Sequence, residues 1–455
     1  MAMAHGFVEP QKGSFIIVGC GYGGLGAAIE LPRKGFDVEV FEAAKHLTTQ
    51  GDVIHLSPNG TRVLAKWGTV LDETKRQAAS ISKAVYHDRE GNKLLESELT
   101  MGDSGFPELY CNRGEVQRVM YEHGKSLGIK FHFGTRITSY YEDDTNAGVY
   151  VGETLYKAHG VIAADGIHSV ARTVTTGQED RPVGSGFAVY RTWFPLDCLK
   201  DDPLTSHYVT SGENCFHVWL DRDIHAMVVT NQSLRGCVVF CTHKDTAESH
   251  ESWSSPGKVE DELSLLEGWD ETLRAVVSKI PPGRLVDWKL LWRDQARKWV
   301  SEKGRIVLLG DSAHPHLPTS GTGAVMAFED AATIAAVIDD LACTRRERTS
   351  LTMRLGWETR HRWHRTDVKE IATNAEVLKM PQPKWLTAHD AEKYAYEKIK
   401  EATRSLQENV PFMSTNTYEG YIHEDWTIET MLELTEKGEG FEYLIQEGDN
   451  LDQKL

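Results

Sequence analysis

The chain has 455 residues and, with 50 basic against 67 acidic side chains, a formal charge of −17 and a pI of about 5.6. Hydrophobic residues at 40% and charged residues at 26% match ordinary globular usage, which excludes collagen, coiled coil and wholesale disorder. Its length suggests two or three units of roughly 150 residues, and its acidic balance argues against nucleic acid or an anionic membrane as the main partner. The longest N-terminal apolar run, Phe15 to Val18, is too short for a spanning helix or a signal peptide, so a soluble, cytoplasmic protein is expected. Seven scattered cysteines predict no disulfide framework. Cys237, Cys241 and His243 would share one face of a strand, but the two cysteines would lie roughly 13 Å apart, too far for one metal ion. No metal site is predicted.

In chain order, Phe15 to Val18 reads as a buried strand running into Gly19-Cys-Gly-Tyr-Gly-Gly24. Leu25 to Lys34 has helical spacing, Gly35 ends it, and Val38 to Glu42 is a second strand, which completes a βαβ unit. A helix follows Pro58-Asn59 and continues through Leu64 to Trp67. Lys83 to Glu96 reads as a hairpin turning at Glu90-Gly91-Asn92. Gly114 to Leu127 is helical and Ile129 to Phe133 strand-like; Ile137 to Tyr141 pairs with Val149 to Val151, and Gly160 to Ala164 is a short buried strand. From about 185 to 290 the texture changes. Phe187–Phe194, His207–Val209, Cys215–Leu220, Ala226–Thr230 and Val238–Thr242 read as strands of an antiparallel sheet covering something. Arg305 to Leu309 restores a parallel-type strand, followed by a glycine-rich loop and a helix over Ala324 to Leu341. Beyond about 345 the chain reads as helical and strongly charged.

Gly19-x-Gly21-x-x-Gly24 between a strand and a helix carries a mechanism. The first glycine permits the tight turn, the second lets backbone reach a pyrophosphate, and the third allows close helix–strand packing. The helix N-terminus adds N–H donors and partial positive charge. Glu42 ends the next strand 42 − 24 = 18 positions past the third glycine, where a carboxylate can accept from a ribose diol. This predicts dinucleotide binding. Asp165-Gly166-x-x-Ser169-x-x-Arg172 and Gly310-Asp311-Ser-Ala-His-Pro315 both follow the ends of parallel-type strands, where ligands lie in open α/β sheets. Pro318-Thr-Ser-Gly321-Thr-Gly323 opens a helix. Each aspartate alone could be a helix cap; three such turns on one chain predict a shared ligand.

The segments FIIVGCGYGGLGAAIEL, GVIAADGIHSVAR and GRIVLLGDSAHPHLPTSGTGAVMAFEDA resemble, in order and spacing, the single-component flavin-dependent aromatic hydroxylases. These are salicylate-hydroxylase-like monooxygenases with the para-hydroxybenzoate hydroxylase fold. The stretch from Gly51 through Pro58-Asn59 to Gly68, and Asn112-Arg113, are similar to the same family, and the likeness runs from residue 13 to about 375. The resemblance implies an α/β fold: a Rossmann-like FAD-binding domain with a parallel sheet, interrupted by an antiparallel-sheet substrate domain and followed by a helical C-terminal segment. The boundaries would be 13–80, 105–183 and 290–345 for FAD binding, 81–104 and 184–289 for the substrate sheet, and 346–455 for the C-terminal region.

It also implies roles. Gly19, Gly21, Gly24 and Glu42 would hold the ADP half of FAD, and Arg113 would approach its ribityl–pyrophosphate region. Asp165 would belong to a motif linked to FAD and NAD(P)H. Asp311 would bind ribityl or ribose hydroxyls, and amides from Gly321 through Gly323 to Ala324 would face the flavin pyrimidine edge. NADPH or NADH would visit transiently, because no second glycine fingerprint with strand and helix occurs; Gly184-x-Gly186 enters a strand instead. Family members reduce flavin with NAD(P)H, form a C4a-hydroperoxide with O2, and transfer oxygen to an electron-rich ring or alkene in a water-excluding site.

Arg191, which interrupts an otherwise apolar strand, is the candidate catalytic cation, favouring a phenolate and its developing charge; an inward arginine paired with a carboxylate, or an outward one, is the alternative. Asp52 could act as acid or base near substrate but reads more simply as a turn cap, and it departs from the small or apolar residues commoner there in the family. His55 lies in the stretch the family places beside the flavin. His314 and His316 read as loop packing. Trp193, Phe216, Trp219 and Trp292 could line an aromatic pocket, with sheet packing as the default. Arg360 to Arg365 reads as a solvated helix face. The expected activity is oxygenation of a small phenolic, aromatic or indole substrate, in catabolism or secondary metabolism. A flavin oxidase or dehydrogenase, and a non-catalytic FAD-fold binding protein, remain alternatives.

Overall fold

Ser14–Val18, buried from Phe15 onward, pairs in parallel with Asp37–Phe41 on one side and Gly160–Ala163 on the other. In the computed structural model, which describes residues 13–47, 52–99, 104–245, 256–337, 341–365, 371 and 374–437, this is the centre of a five-stranded parallel sheet. Its spatial order is Ile306–Leu308, Gly160–Ala163, Ser14–Val18, Asp37–Phe41, Lys130–His132. The near-continuous apolar runs of the central strands follow from burial on both faces. Two helices, Tyr22–Arg33 and Gly323–Ala336, pack together over small residues: a Cβ on Gly26 would meet the Ala331 Cβ at 3.0 Å. An antiparallel hairpin sheet, Ser139–Glu142, Ala147–Val151 and Thr154–Ala158, also packs on the parallel strands.

A second sheet has seven strands in the order Val286–Trp292, Val183–Pro195, Gly236–Lys244, Ile224–Asn231, Phe216–Asp221, Lys83–Asp88, Lys93–Glu98. Side-chain alternation splits it into two cores. Tyr190, Trp219, Cys237, Val239 and Cys241 pack with helices Val259–Leu265 and Glu271–Ser278, whereas Phe216, Val218, Val229 and Val238 pack with Tyr86, Tyr110 and Trp363. The fold class is therefore the one expected: α/β, with parallel and antiparallel sheets and a helical C-terminal segment.

Three expectations are corrected. His207–Thr210 is a helical turn, not a strand, because Ser206 accepts from the Thr210 hydroxyl and the Asp202 carbonyl accepts from the Thr205 and Ser206 amides, closing local hydrogen bonds. The helix expected over Ala324 to Leu341 is Gly323–Ala336; Leu341–Arg365 is a separate 25-residue helix, and 338–340 lie outside the described residues. The run from Arg360 to Arg365 is not a solvated face: Arg360, Arg362, Trp363 and His364 are all buried. That helix is wedged between the seven-stranded sheet and the Pro318–Ser320 turn, with Trp363 Nε1 donating to the Leu378 carbonyl at 2.8 Å and His364 bonded to His225 at 2.7 Å.

The later segments are fastened to this frame. Arg348, fully buried, pairs with Glu329 at 2.8 Å and donates to the carbonyls of Trp385, Leu386 and Asn416 at 2.9 Å each. Among the described residues no helix is long and apolar enough to cross a membrane, and no group of three or more His, Cys, Asp or Glu side chains is arranged to hold a metal.

Candidate functional site

The glycine loop is shaped by contacts that exclude side chains. Gly19 has φ +102°, and a Cβ there would lie 2.2 Å from the Ala164 carbonyl oxygen; one on Gly24 would lie 2.0 Å from the Gly19 oxygen. Gly21 differs, because a Cβ there would meet nothing within 4 Å. The helix begins at Tyr22, earlier than the apolar spacing indicated, so its free N–H groups open directly onto that space. Glu42 grips the loop from the neighbouring strand end, accepting from Cys20 N and Ala44 N at 2.7 Å each.

Other predicted residues gather around this loop. Tyr22 Oη donates to the Arg113 carbonyl at 2.7 Å, and Gln117 Nε2 to the Cys20 carbonyl at 2.7 Å. Arg113 opens the helix Arg113–Ser126, whose Asn112 cap accepts from Glu115 N. Asp165 follows the strand against which Gly19 packs; its Oδ2 accepts from Tyr140 Oη at 2.9 Å and Val170 N at 3.0 Å, and its buried Oδ1 has no partner among the described residues. Asp311 stands in the Gly310–Ser312 turn beside Gly23. It is solvent-accessible yet walled in by protein, and that desolvation raises its carboxyl above the usual range despite His314 and Arg113. An accessible side chain in a desolvating environment marks an internal cleft. Gly321, at φ +60°, ends the Pro318–Ser320 turn, and Gly323 and Ala324 start the next helix, so this turn presents a second helix N-terminus.

Arg191 points inward from its strand. Its Nη1 donates to Asp52 Oδ2 at 2.8 Å, its guanidinium lies 4.4 Å from the Trp288 ring centre, and both charged side chains are about nine-tenths buried. Burial lowers the Arg191 guanidinium somewhat and Asp52 raises it in return. Asp52 is thus an ion-pair partner rather than a turn cap, and its carbonyl also accepts from Arg113 N at 2.8 Å. Arg191 and Arg113 are in this way joined through one residue.

Two site features were not foreseen. His55 places Nδ1 3.2 Å from the Gly321 carbonyl oxygen and Nε2 2.5 Å from Glu108 Oε1, and Tyr110 Oη donates to the same Glu108 oxygen at 3.1 Å. Both ring nitrogens face acceptors, so both must donate, which requires the charged imidazolium. Burial opposes that charge, but Glu108 prevails and raises His55 above its ordinary range while being held below its own. The sequence signals nothing about Glu108, which meets His55 only because Val53–Leu56 and Leu109–Asn112 pair. The second is an apolar wall of half-buried Val53, Trp193, Met227, Phe240 and Met380. The Met380 Cε lies 2.9 Å from where a Gly321 Cβ would stand.

Of the four tryptophan and phenylalanine candidates, Trp193 belongs to this wall and Phe216 is buried in the core it packs on, whereas the other two lie elsewhere. Trp219 lies in the opposite core with Nε1 bonded to Asp270 at 2.8 Å, and Trp292 packs with Leu317 and Trp357. His314 and His316 pack within the loop: His314 Nε2 donates to Asp330 at 2.5 Å, and His316 joins the His314 carbonyl and Thr352.

Comparison with known proteins places this geometry. A family model described as FAD binding domain matches residues 13–351. Asperlicin C monooxygenase of Petromyces alliaceus is 34% identical over 418 residues, spanning 86% of this chain and 89% of its own length. FAD-dependent monooxygenase okaB of Penicillium ochrochloron is 31% identical, spanning 88% and 93%. Among solved structures, CtdE in complex with FAD and a substrate superposes with a TM-score of 0.81 at 28% identity, covering 87% of this chain and all of CtdE. FqzB gives the same score and identity over 90% and 97%. Salicylate hydroxylase, at 18% identity and a TM-score of 0.69, shares the fold.

Proposed function

This chain belongs to the family of FAD-dependent monooxygenases built on that FAD binding domain, and from that premise we propose that it uses NADPH or NADH and O2 to hydroxylate, dearomatise or epoxidise a phenolic, aromatic or indole substrate of secondary metabolism. What supports this reading is the gathering of four separate turns, at Gly19–Gly24, Asp165, Asp311 and Gly321–Ala324, with the Arg191–Asp52 pair tied to them through the Arg113 backbone.

The residues fit FAD. Open space beyond Gly21, faced by the free amides of a helix N-terminus, suits a pyrophosphate, and Glu42 suits a ribose diol. Arg113 would approach the pyrophosphate and ribityl chain. Asp311, accessible within a desolvating cleft, would accept from ribityl hydroxyls, and Asp165 would order the neighbouring turn. The amides of Gly321, Gly323 and Ala324 would meet the pyrimidine edge, where a helix N-terminus stabilises negative charge. When bound, FAD supplies the two-electron chemistry that activates O2 and delivers one oxygen atom to substrate.

The chain's own residues do the rest. Arg191 holds a positive charge at the substrate face of the cleft, and Asp52 with Trp288 fixes its orientation. A phenol or indole presented there gains stabilisation for the negative charge that develops as its ring donates electrons. The Val53, Trp193, Met227, Phe240 and Met380 wall excludes water and offers an apolar surface to a polycyclic ring. The seven-stranded sheet serves as the substrate-covering unit.

The test is substrate-stimulated NAD(P)H oxidation across a panel of phenols and indoles, with labelled O2 traced into product. Label in the product is expected. Reduction of the flavin by an amine or alcohol without pyridine nucleotide would replace this reading with that of an oxidase, and a purified protein without isoalloxazine absorbance would end both.

A further inference from the structure

Arg360 lies on the Leu341–Arg365 helix, one turn past Gly356, which packs directly against Ser320. Only 6% of its surface is exposed, and its guanidinium sits between two aromatic rings, 4.9 Å from the Phe187 centre and 4.6 Å from the Trp292 centre. Among the described residues it makes no hydrogen bond, its buried Nη1 has no partner, and no carboxylate acts on its charge; burial alone lowers it to about 10. Trp292, 4% exposed, likewise leaves a buried Nε1 without a partner. Two neighbouring groups that can only donate are thus buried with no acceptor among the described residues. Stacking on two rings holds the guanidinium but returns only part of the hydration a buried cation loses. The missing component is an anion.

Position narrows its identity. Trp292 packs against Leu317 and Trp357, at the root of the turn leading to Gly321, and the next residue, Arg293, donates Nη1 to the Ile167 carbonyl at 2.7 Å in the Asp165 turn. The Arg360–Trp292 pair therefore lies between two of the turns that frame the cleft. The chain has one glycine fingerprint with strand and helix, and the FAD assignment uses it, so a visiting dinucleotide must find phosphate donors elsewhere. Arg and indole N–H groups offer directional donors to phosphate oxygens.

We propose that Arg360 and Trp292 form an anion subsite that holds a phosphate of the reduced pyridine dinucleotide. This rests on the NAD(P)H-dependent reading given above. The test uses the FAD-loaded enzyme and two probes. Inorganic pyrophosphate binding is measured by calorimetry in wild type, Arg360→Gln and Trp292→Phe; the apparent Kd for NADPH and NADH is measured by anaerobic stopped-flow reduction of the flavin. Arg360→Gln should abolish pyrophosphate binding and raise the dinucleotide Kd by about tenfold or more, as expected for a lost charge-assisted contact. FAD content and substrate Kd should not change. Trp292→Phe, which keeps the ring and removes the donor, should weaken both probes by a smaller factor. A rise confined to NADPH assigns the subsite to the 2′-phosphate, and an equal rise for NADH assigns it to the pyrophosphate bridge. Unchanged pyrophosphate and dinucleotide binding in Arg360→Gln would overturn the proposal, and so would a shift seen only in substrate Kd. Failure of both nucleotides to reduce wild-type flavin would remove the dinucleotide assignment together with the co-substrate reading. Pyrophosphate binding, measured without reduction, separates that failure from loss of the anion subsite itself.

Discussion

Glu262 offers a stability test independent of any ligand. It lies on the short helix Val259–Leu265 behind the seven-stranded sheet, fully buried, and neither carboxyl oxygen has a hydrogen-bond partner among the described residues. Among the described residues its surroundings, including Tyr190 and Cys241, offer no cation, and burial pushes its carboxyl up to about 8. A carboxyl whose folded value exceeds its unfolded value of 4.5 must take up a proton to fold, so it destabilises the protein increasingly as pH rises from 4.5 toward 8. At about 1.4 kcal/mol per pH unit, the penalty is about 1 kcal/mol at pH 5 and about 3 kcal/mol at pH 7. Glu262→Gln removes the ionisation and keeps the shape. Denaturant unfolding of both proteins from pH 5 to 8 should show a variant more stable by about 1 kcal/mol at pH 5 and by about 3 kcal/mol at pH 7, a gap that widens by about 2 kcal/mol. A difference that stays constant across this range would refute the reasoning, because Glu262 would then ionise as freely folded as unfolded.

Gly24→Ala forces a methyl group to within 2.0 Å of the Gly19 oxygen, so the purified variant should lose most of its flavin absorbance while the seven-stranded sheet keeps its circular dichroism. Arg191→Ala should retain FAD and still oxidise NAD(P)H, yet lose most product formation; unchanged labelled-oxygen incorporation would remove its role. Glu108→Gln strips the charged partner from His55 and should cost about 1.5–3 kcal/mol by denaturant unfolding. With His55 raised and Glu108 lowered, that contribution is fully present between their unfolded values of 4.5 and 6.5, fading as pH climbs through the folded value of His55 or falls through that of Glu108. Glu329→Gln leaves Arg345 and Arg348 buried beside an amide and should destabilise by about 3–5 kcal/mol, read as a fall in the denaturation midpoint.

What could be read from the residues was what chemistry fixes locally. The strand–glycine–helix turn, Glu42 at the following strand end, and the aspartates after two further strands each depend on neighbours within a few positions, and the parallel sheet followed from unbroken apolar runs. Pairings across the fold were illegible. Asp52 meets Arg191 139 positions away, and nothing in either segment distinguishes an ion pair from a turn cap. Glu108 gives no sign of facing His55. The Arg360 to Arg365 run misled because charge pattern reports polarity and not location: the groups that receive this helix belong to the sheet and to the Pro318–Ser320 turn. His207–Val209 is too short a window for a period, so local Ser and Thr bonds decided it. The helix Glu271–Ser278 was legible but unread: Asp270 caps it, accepting from Thr272 N at 2.9 Å, and Leu273, Val276 and Val277 recur at helical spacing.

The Arg348 guanidinium bridges chain segments otherwise remote from one another: a carboxylate on the helix that starts at Gly323, and three carbonyls from the stretch between Trp385 and Asn416. Shortening the polypeptide before Trp385 would therefore do more than trim an appendage. It would strand a cation in the interior and unseat the rod whose opening amides are assigned to the isoalloxazine, so such a deletion should shed pigment before it sheds secondary structure.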